Sequence, residues 1–156
     1  MKKNLTISYD ELKHWNQLCA EDIELVEKAF EVSNNAYAPY SKFYVGASLR
    51  MEDHSIILGS NQENIAYPSG LCAERVALFF AGAAFPTLKV KKICIVAKGE
   101  LIPVGNWVSP CGSCRQVMAE SQTRQNEPIE IILVSQNNRV LIFKSVTDLL
   151  PFIFTS

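Results

Sequence analysis

The fold is decided by two apolar runs, KKICIVAK at residues 91–98 and IEIILVS at residues 129–135, with a helix-like stretch at 111–122 between them. Short apolar runs of this kind are typical of strands that are buried on both faces. The intervening helix is long enough to return the chain to the same edge of a sheet, so the two strands are predicted to be parallel. A second helix, predicted over residues 72–84, precedes the first run and provides another crossover.

An amphipathic helix and a β-hairpin are predicted before this central unit. Residues 22–37 place Ile23 and Val26 on one helical face, which is the pattern of a helix that packs against a sheet. Two strand-like runs follow, Tyr44–Met51 and residues 55–60, and they flank a short polar turn. Runs of this length around a polar turn indicate a hairpin.

One more strand is predicted near the end of the chain, over residues 139–144, after a polar turn. The complete order is helix, hairpin, helix, strand, helix and strand pair. This order predicts an α/β fold, a three-layer α/β/α arrangement around a five-stranded mixed sheet. Residues 1–20 lie outside the pattern and are predicted to form a partly helical N-terminal extension, to which no function is assigned.

Composition narrows the classes of function. The 156 residues fit one ordinary domain, and 15 basic against 16 acidic residues leave a net charge of -1, which gives no general attraction for nucleic acid or anionic membranes. No targeting or membrane-spanning segment is predicted, so the expected location is the cytoplasm.

Five cysteines in a chain of this size favour metal binding or catalysis over a disulfide framework. Cys19 and Cys94 are not expected to bind the metal. Cys94 lies in a predicted buried strand, where a cysteine behaves as a small hydrophobic residue.

The other three cysteines open predicted helices. Cys111 and Cys114 are three residues apart at the start of one helix, so both sulfurs lie on one side of its first turn, and Cys72 opens the preceding helix. Helices that follow parallel strands begin at the same edge of the sheet, where their N-termini can lie side by side and favour thiolates. Three thiolates can hold Zn²⁺ and leave its fourth tetrahedral position open, as in a catalytic zinc site.

Two plainer interpretations of these cysteines stay open. The pair Cys111 and Cys114 has the spacing of a redox Cys-x-x-Cys motif, but a redox pair does not explain Cys72. A structural zinc would need a fourth protein ligand, for which His14 and His54 are available. His14 belongs to the N-terminal extension and His54 to the predicted hairpin turn, so neither is favoured.

Glu74 and Arg75 follow Cys72 at the start of the same helix. A carboxylate at this position can reach the open metal position and take a proton from water without binding the metal. The plainer interpretation is a helix-start glutamate favoured by the dipole. Zinc with three thiolates carries a net negative charge, and a guanidinium bonded to one sulfur would withdraw part of that charge. The alternative for Arg75 is an ordinary surface arginine.

Together these segments resemble the small zinc-dependent cytidine deaminases that act on free nucleosides. The specific part is Cys-Ala-Glu combined with Pro-Cys-x-x-Cys, and a related His-x-Glu signature has histidine where this chain has Cys72. The resemblance covers about residues 22–154. The matching segments are APYSKFYVGA at 38–47, NQEN at 61–64, YPSGLCAER at 67–75 and SPCGSCRQ at 109–116.

The resemblance implies a role for each matched residue. Cys72, Cys111 and Cys114 would bind zinc, and Glu74 would transfer protons as the catalytic residue. The implied substrate contacts are Phe43 on the pyrimidine ring, Asn61 and Glu63 on the ribose, and the Ala73 N–H and the Ser109 carbonyl on the base and the leaving amine. Tyr67 and Phe154 match positions that approach a neighbouring subunit's site, with Phe152 as a competing candidate.

The same resemblance implies a homotetramer with one Zn²⁺ per subunit and a cytidine deaminase catalytic domain over residues 21–156. The implied reaction is hydrolysis of cytidine and 2′-deoxycytidine to uridine and 2′-deoxyuridine with release of ammonia, as in pyrimidine salvage. A blasticidin-S-type nucleoside antibiotic deaminase is the alternative, although Asn61, Glu63 and Arg75 favour plain cytidine. A nucleic-acid deaminase is disfavoured by the near-neutral charge. A non-enzymatic zinc or redox module would need a fourth ligand or a disulfide.

Overall fold

The computed structural model describes residues 1–155. Strands and helices alternate through most of that range, and short 3₁₀ turns connect some of them. In chain order the elements are β1 (Asp10–Leu12), α1 (Ala20–Ser33), β2 (Tyr44–Met51), β3 (Ile56–Ser60), α2 (Ala73–Ala84), β4 (Val90–Lys98), α3 (Gly112–Gln125), β5 (Glu130–Val134) and β6 (Val140–Phe143). None of the helices in residues 1–155 has the length and apolar character needed to cross a membrane.

The strands form one mixed sheet in the order β1-β6-β5-β4-β2-β3. Strands β4 and β5 pair in parallel, and the other neighbours are antiparallel. Helix α1 packs on one face of the sheet, whereas α2 and α3 pack on the other, so two apolar clusters lie on opposite sides of the strands. The predicted α/β fold with a mixed sheet is confirmed.

Strand β4 is apolar on both faces because helices cover both sides of it. Ile93 and Ile95 belong to the cluster beneath α2 and α3, whereas Cys94 and Val96 belong to the cluster beneath α1. Successive side chains of a strand point to opposite faces, so a strand covered on both sides has no polar alternation. Each large apolar side chain buried in this way contributes about 1.5–3 kcal/mol relative to exposure.

The prediction of five strands is wrong, because the sheet has a sixth strand, β1. This strand lies inside the predicted N-terminal extension and pairs antiparallel with β6, with Glu11 opposite Leu141. A strand of three mostly exposed residues has too short a pattern for periodicity to indicate it. The charged residues Asp10 and Glu11 are of the kind that keeps an outer strand from pairing with another chain.

The helix predicted over residues 22–37 begins and ends earlier, at Ala20 and Ser33. Its end is set by a contact that periodicity does not show. The Tyr37 N–H donates to the Asn61 carbonyl at 3.0 Å, and Tyr37 forms an isolated bridge with Gln62. The chain after Ser33 therefore leaves the helical path to pair with the segment that follows β3.

Helices α2 and α3 begin at the same edge of the sheet. Strand β2 is antiparallel to both β3 and β4, and β4 is parallel to β5, so β3, β4 and β5 point in one direction. Helix α2 follows β3, and α3 follows β4. The first turns of both helices therefore lie beyond the carboxyl ends of these strands, where open α/β sheets bind their ligands.

Gly59 in β3 allows α2 to approach the sheet closely. A Cβ atom at this position would lie 2.5 Å from the Ala73 carbonyl oxygen and 2.7 Å from the Ala77 nitrogen. Both are backbone atoms of α2, so a side chain cannot be accommodated by a rotamer change. The position of the α2 N-terminus relative to β3 therefore depends on the absence of a side chain at residue 59.

We predict that Gly59→Ala lowers the free energy of unfolding by about 1–3 kcal/mol, because α2 must move away from β3. Gly82→Ala is the matched control. Gly82 is a residue of α2, and a Cβ atom at this position would have no neighbouring atom within 4 Å. This control should raise the free energy of unfolding by about 1 kcal/mol through helix propensity. Denaturant unfolding of both variants measures the difference. Equal stability of Gly59→Ala and the unsubstituted protein would contradict the prediction.

Candidate active site

The three predicted cysteines meet at the N-termini of α2 and α3. Cys72 is the N-cap residue of α2, Cys111 is the N-cap residue of α3, and Cys114 lies in the first turn of α3. The three sulfur atoms lie within 4.8 Å of one another, and the Sγ atoms of Cys111 and Cys114 are 3.5 Å apart. Two helices that begin side by side therefore bring residues far apart in sequence into one cluster of sulfurs.

This sulfur cluster fits a tetrahedral zinc ion. With Zn–S bonds of about 2.3 Å, two sulfurs of a tetrahedron lie about 3.8 Å apart, close to the spacing observed between Cys111 and Cys114. Free backbone N–H groups and the positive ends of two helix dipoles favour thiolates at this position. Within residues 1–155, the cluster comprises three cysteines and no histidine or carboxylate ligand. Three protein ligands leave one coordination position open, as catalytic zinc sites require.

Arg75 contributes positive charge beside the sulfurs. Its Nη2 atom lies 3.8 Å from the Cys72 sulfur. Hydrogen bonds from Cys114 and Arg75 lower the pKa of Cys72 to about 5. The pKa of Cys114 is raised because its thiol donates to Cys72 and is buried. Metal binding requires thiolates, so it would release the proton that these two sulfurs share.

Glu74 is a buried carboxyl group at the same helix start. The residue is only 4% exposed, yet it lines the cavity described below. Burial raises the pKa of Glu74 to about 7, and the negative charge of Cys72 acts in the same direction. A carboxyl group with a pKa near neutrality can both accept and donate a proton, which is what general acid–base catalysis requires.

A cavity of about 640 Å³ opens over Cys72, Cys111 and Glu74, whereas the fully buried Cys114 does not line it. Its walls bring together most of the residues that the sequence predicts for the site. The predicted residues that line it are Phe43, Asn61, Glu63, Tyr67, Cys72, Glu74, Arg75, Ser109 and Cys111. Ten further wall residues were given no role from the sequence: Tyr40, Ser41, Val45, Gln62, Asn64, Gly70, Leu71, Ile95, Leu101 and Val108. Tyr40 and Ser41 lie in a matched segment, whereas Leu101 belongs to an irregular loop in which no motif indicated it.

The side chain of Asn61 holds the start of β2. Its Oδ1 atom accepts from the Val45 N–H at 2.7 Å, and its Nδ2 atom donates to the Phe43 carbonyl at 2.9 Å. These bonds fix the amide against the strand that carries Phe43. Each end of the amide keeps one further hydrogen-bonding position.

Glu63 caps the turn that precedes β2. Its Oε2 atom accepts from the N–H groups of Tyr40 at 2.9 Å and Ser41 at 3.3 Å. Hydrogen bonding with Ser41 lowers the pKa of Glu63, so the carboxylate stays ionised. An ionised carboxylate accepts hydrogen bonds only, and its second oxygen is available for a hydroxyl donor.

Ser109 and Ala73 contribute from the starts of the two helices. Arg115 ties the segment before α3 in place, because its guanidinium donates to the Pro110 carbonyl at 2.8 Å and to the Ser109 hydroxyl at 2.8 Å. Ala73 is fully buried and does not line the cavity with its side chain. Its N–H lies in the first turn of α2, where backbone donors have no partner within the helix.

Tyr67 and the C-terminal phenylalanines are exposed. Tyr67 is 73% exposed and lines the rim of the cavity. Phe152 and Phe154 are also exposed, and neither lines this cavity. The Gln116 side chain donates to the Phe154 carbonyl at 2.8 Å and accepts from its N–H at 3.3 Å. The backbone of Phe154 is therefore held at the first turns of α3 while its ring faces outward.

Comparison with known proteins gives one consistent result. Residues 19–126 match a sequence family described as "Cytidine and deoxycytidylate deaminase zinc-binding region". A cytidine deaminase of Halalkalibacterium halodurans is 46% identical over 96 residues, which cover 62% of this chain and 68% of the relative. A probable cytidine deaminase of Dictyostelium discoideum is 33% identical over 137 residues and covers 85% of both chains.

The solved structures agree with the sequence comparison. The crystal structure of cytidine deaminase from Burkholderia pseudomallei matches with a TM-score of 0.71 and 36% sequence identity, covering 84% of this chain and 97% of that chain. The structure of cytidine deaminase from Mycobacterium tuberculosis matches with a TM-score of 0.66 and 28% identity, covering 85% and 96% of the two chains. The match to these structures extends well beyond the cysteine motifs.

We predict that Cys72→Ser and Cys114→Ser each abolish stoichiometric zinc binding, because a serine hydroxyl does not replace a thiolate in a site with only three protein ligands. Cys19→Ser is the control, since Cys19 is an exposed free thiol outside the cluster. Elemental analysis after gel filtration measures zinc per chain. A full zinc complement in Cys72→Ser would contradict the assignment of the site, as would loss of zinc in Cys19→Ser.

Proposed function

The chain belongs to the cytidine deaminase family, and we propose that it hydrolyses cytidine and 2′-deoxycytidine to uridine and 2′-deoxyuridine with release of ammonia. The observation that carries the proposal is the convergence of Cys72, Cys111 and Cys114 with the buried carboxyl group of Glu74 at one cavity. Pyrimidine salvage is the metabolic role proposed for this reaction. The catalytic domain is proposed to comprise residues 21–156, of which Ser156 lies outside the described residues.

Zinc is the cofactor of this family, with one ion per subunit, and Cys72, Cys111 and Cys114 are the proposed ligands. When bound, zinc acts as a Lewis acid that lowers the pKa of water and so makes hydrolysis possible near neutral pH. The three cysteines would hold the ion beside the cavity that Glu74 also lines. Their placement on two helix N-termini stabilises the thiolate form that the metal requires.

Glu74 is the proposed acid–base residue. It accepts a proton from the attacking water and delivers it to ring nitrogen N3. It then takes a second proton from the hydroxyl group added at C4 and transfers it to the leaving amine. Both steps need a group that exchanges protons readily near pH 7. The burial that raises the pKa of Glu74 to about 7 provides this property.

The walls of the cavity supply the proposed substrate contacts. Phe43 packs against the pyrimidine ring, while the Ala73 N–H and the Ser109 carbonyl contact the base and the leaving amine. Asn61 and Glu63 bind the ribose hydroxyls. This assignment is supported by the hydrogen bonds of both side chains to strand β2 and the adjoining turn, which fix their orientation. The Asn61 amide and the second oxygen of Glu63 can still form hydrogen bonds with a ligand.

Arg75 is proposed to offset the charge of the metal site. Three thiolates around Zn²⁺ give a net negative charge, which would weaken the Lewis acidity of the ion. The contact of 3.8 Å from the guanidinium to the Cys72 sulfur places positive charge on one ligand. The Nε atom of Arg75 is buried without a hydrogen-bond partner among residues 1–155, while the Nη2 atom of the same guanidinium contacts the Cys72 sulfur.

A homotetramer is proposed, with Tyr67 and Phe154 reaching the site of a neighbouring subunit and Phe152 as the competing candidate for the second position. The proposal is supported by exposed aromatic residues along α2 and its C-terminal end, namely Phe79, Phe80 and Phe85. Exposed aromatic residues concentrated on one element are typical of interfaces between proteins.

The proposed compartment is the cytoplasm, where reducing conditions keep the zinc-binding thiols from forming disulfides.

The family membership and the ribose-binding pair do not favour the alternative of a nucleoside antibiotic deaminase. A substrate panel that contains cytidine, 2′-deoxycytidine and blasticidin S separates the two functions. We expect ammonia release from both pyrimidine nucleosides, and its loss after the protein is stripped of zinc by a chelator. Deamination of blasticidin S alone would overturn the proposal.

We predict that Glu74→Gln retains zinc but lowers turnover of cytidine by about 100- to 10,000-fold, the range associated with loss of a general acid–base residue. Glu120→Gln, which changes an exposed glutamate of α3 outside the cavity, is the control and should keep normal turnover. Ammonia release and zinc content are measured on the same samples. Turnover near that of the unsubstituted protein in zinc-loaded Glu74→Gln would contradict the role of Glu74.

We predict that Arg75→Gln lowers zinc affinity or turnover by about 10- to 100-fold, because the charge of the thiolates is then no longer offset. Arg75→Lys keeps the charge but lacks the planar guanidinium, so its zinc affinity and turnover should lie between those of Arg75→Gln and the unsubstituted protein. Competition with a chromogenic chelator gives the affinity. If affinity and turnover of Arg75→Gln both equalled those of the unsubstituted protein, Arg75 would be an ordinary cavity-wall residue.

We predict a tetrameric mass in sedimentation equilibrium at micromolar concentration. Phe154→Ala should lower turnover while leaving the zinc content of each chain unchanged, because the ring is proposed to complete a neighbouring site. Phe152→Ala is the comparison that decides between the two phenylalanines. A monomer with full activity would contradict the proposed assembly.

A further inference from the structure

The turn between β5 and β6, residues 135–139, is held by its own hydrogen bonds and contacts both the 99–110 loop and the N-terminal extension. The Ser135 N–H donates to the Arg139 carbonyl at 2.9 Å, and the Asn138 N–H donates to the Ser135 carbonyl at 2.9 Å. The Ser135 hydroxyl donates to Asn137 Oδ1 at 2.6 Å. Asn138 has a left-handed backbone conformation, with φ at 68°, which asparagine tolerates better than most residues. We call this unit the 135–139 turn.

One side of the 135–139 turn holds the loop that leads from β4 to α3, residues 99–110. The Gln136 side chain accepts from the Gly99 N–H at 3.1 Å and donates to the Ile102 carbonyl at 2.7 Å. Farther along the loop, the Arg139 guanidinium lies 4.7 Å from the centre of the Trp107 ring. The turn therefore contacts the 99–110 loop near both of its ends.

The 99–110 loop forms one wall of the candidate active site. Leu101, Val108 and Ser109 line the cavity, and the loop leads through Pro110 to Cys111. Because the loop contains no helix or strand of its own, its conformation depends on contacts with its surroundings. Contacts from the 135–139 turn thus bear on the shape of the substrate cavity.

The other side of the 135–139 turn is held by the N-terminal extension. Glu11 forms an ion pair with Arg139. The Trp15 N–H donates to the Asn138 carbonyl at 3.0 Å, and the Trp15 indole N–H donates to Asn138 Oδ1 at 3.3 Å. The family match begins at Cys19, so Glu11 and Trp15 both precede it.

Arg139 belongs to both sets of contacts. Its guanidinium pairs with Glu11 of the extension and lies over the Trp107 ring of the loop. An exposed ion pair is weak by itself, but this one fixes the orientation of a cation that makes a second contact. Loss of the Glu11 carboxylate would free the Arg139 side chain and weaken the contact with Trp107.

We propose that Glu11 and Trp15 of the N-terminal extension position the 99–110 loop through the 135–139 turn, and so set how tightly the cavity binds its nucleoside. These are positioning residues, because none of them lines the cavity. The effect is expected on substrate binding rather than on proton transfer, since Glu74 belongs to α2 and not to the 99–110 loop. The part of the proposal that concerns the nucleoside rests on the proposed function.

The test compares Glu11→Gln with the unsubstituted protein. We expect KM for cytidine to rise about three-fold with kcat unchanged, the scale of one weakened cation–π contact. Labelling with 5-fluorotryptophan gives two ¹⁹F resonances, from Trp15 and Trp107, and a Trp107→Leu variant assigns them. The Trp107 resonance should shift and broaden in Glu11→Gln, although Glu11 itself pairs with Arg139 and not with the indole.

Asp10→Asn is the matched control. It removes a carboxylate from the same strand, but Asp10 pairs with Lys144 at 3.9 Å rather than with the 135–139 turn. This variant should leave both KM and the Trp107 resonance unchanged. In a Trp107→Leu background, Glu11→Gln should raise KM no further, because the contact through which it acts is already missing.

Three results would overturn the proposal: an unchanged Trp107 resonance in Glu11→Gln, an unchanged KM in that variant, or equal effects of Asp10→Asn. A strictly additive rise of KM in the Trp107→Leu background would also overturn the route through Arg139. The ¹⁹F measurement needs no turnover. If the unsubstituted protein failed to deaminate cytidine, the proposed function would fail, and the Trp107 resonance would still decide whether the extension holds the loop.

Discussion

The common direction of strands β3, β4 and β5 is the constraint on which the candidate site depends. Because α2 and α3 both start where these strands end, Cys72 and Cys111 become neighbours although they lie in different crossover units. Gly59 permits the close approach of α2 to the sheet that this arrangement requires. The metal site is thus a product of chain topology: two helix N-termini supply three sulfurs, free N–H groups and favourable dipoles at one place.

The chemistry of the site follows from where its charged groups lie. Glu74 is buried beside thiolates, and this environment raises its pKa to about 7, whereas Glu63 is bonded to backbone N–H groups and stays ionised. The pKa values of two carboxyl groups in one cavity are therefore shifted in opposite directions, which suits the roles proposed for them, proton transfer for Glu74 and substrate binding for Glu63. Arg75 adds the positive charge that a three-thiolate metal site lacks, which connects metal binding with the reactivity proposed for the site.

Much of the fold and of the site could be predicted from sequence, for identifiable reasons. Residues 91–98 and 129–135 are apolar on both faces, so they indicated buried strands, and the cysteine spacing placed three sulfurs at helix starts. Strand β1 was missed because three exposed residues carry no periodic pattern. Leu101 and the contacts of Arg139 were missed because they join segments distant in sequence, and only the folded chain shows that they meet.

The central claim is that zinc is held by three cysteines with one position left open, and X-ray absorption at the zinc edge tests it most directly. The account predicts one zinc per chain, with three sulfur neighbours at about 2.3 Å and one lighter oxygen or nitrogen neighbour at about 2.0 Å. Addition of a nucleoside analogue should change the lighter neighbour and leave the sulfur shell unchanged. Four sulfur neighbours, or a histidine from the protein in the fourth position, would contradict the account, because such a site is closed to substrate.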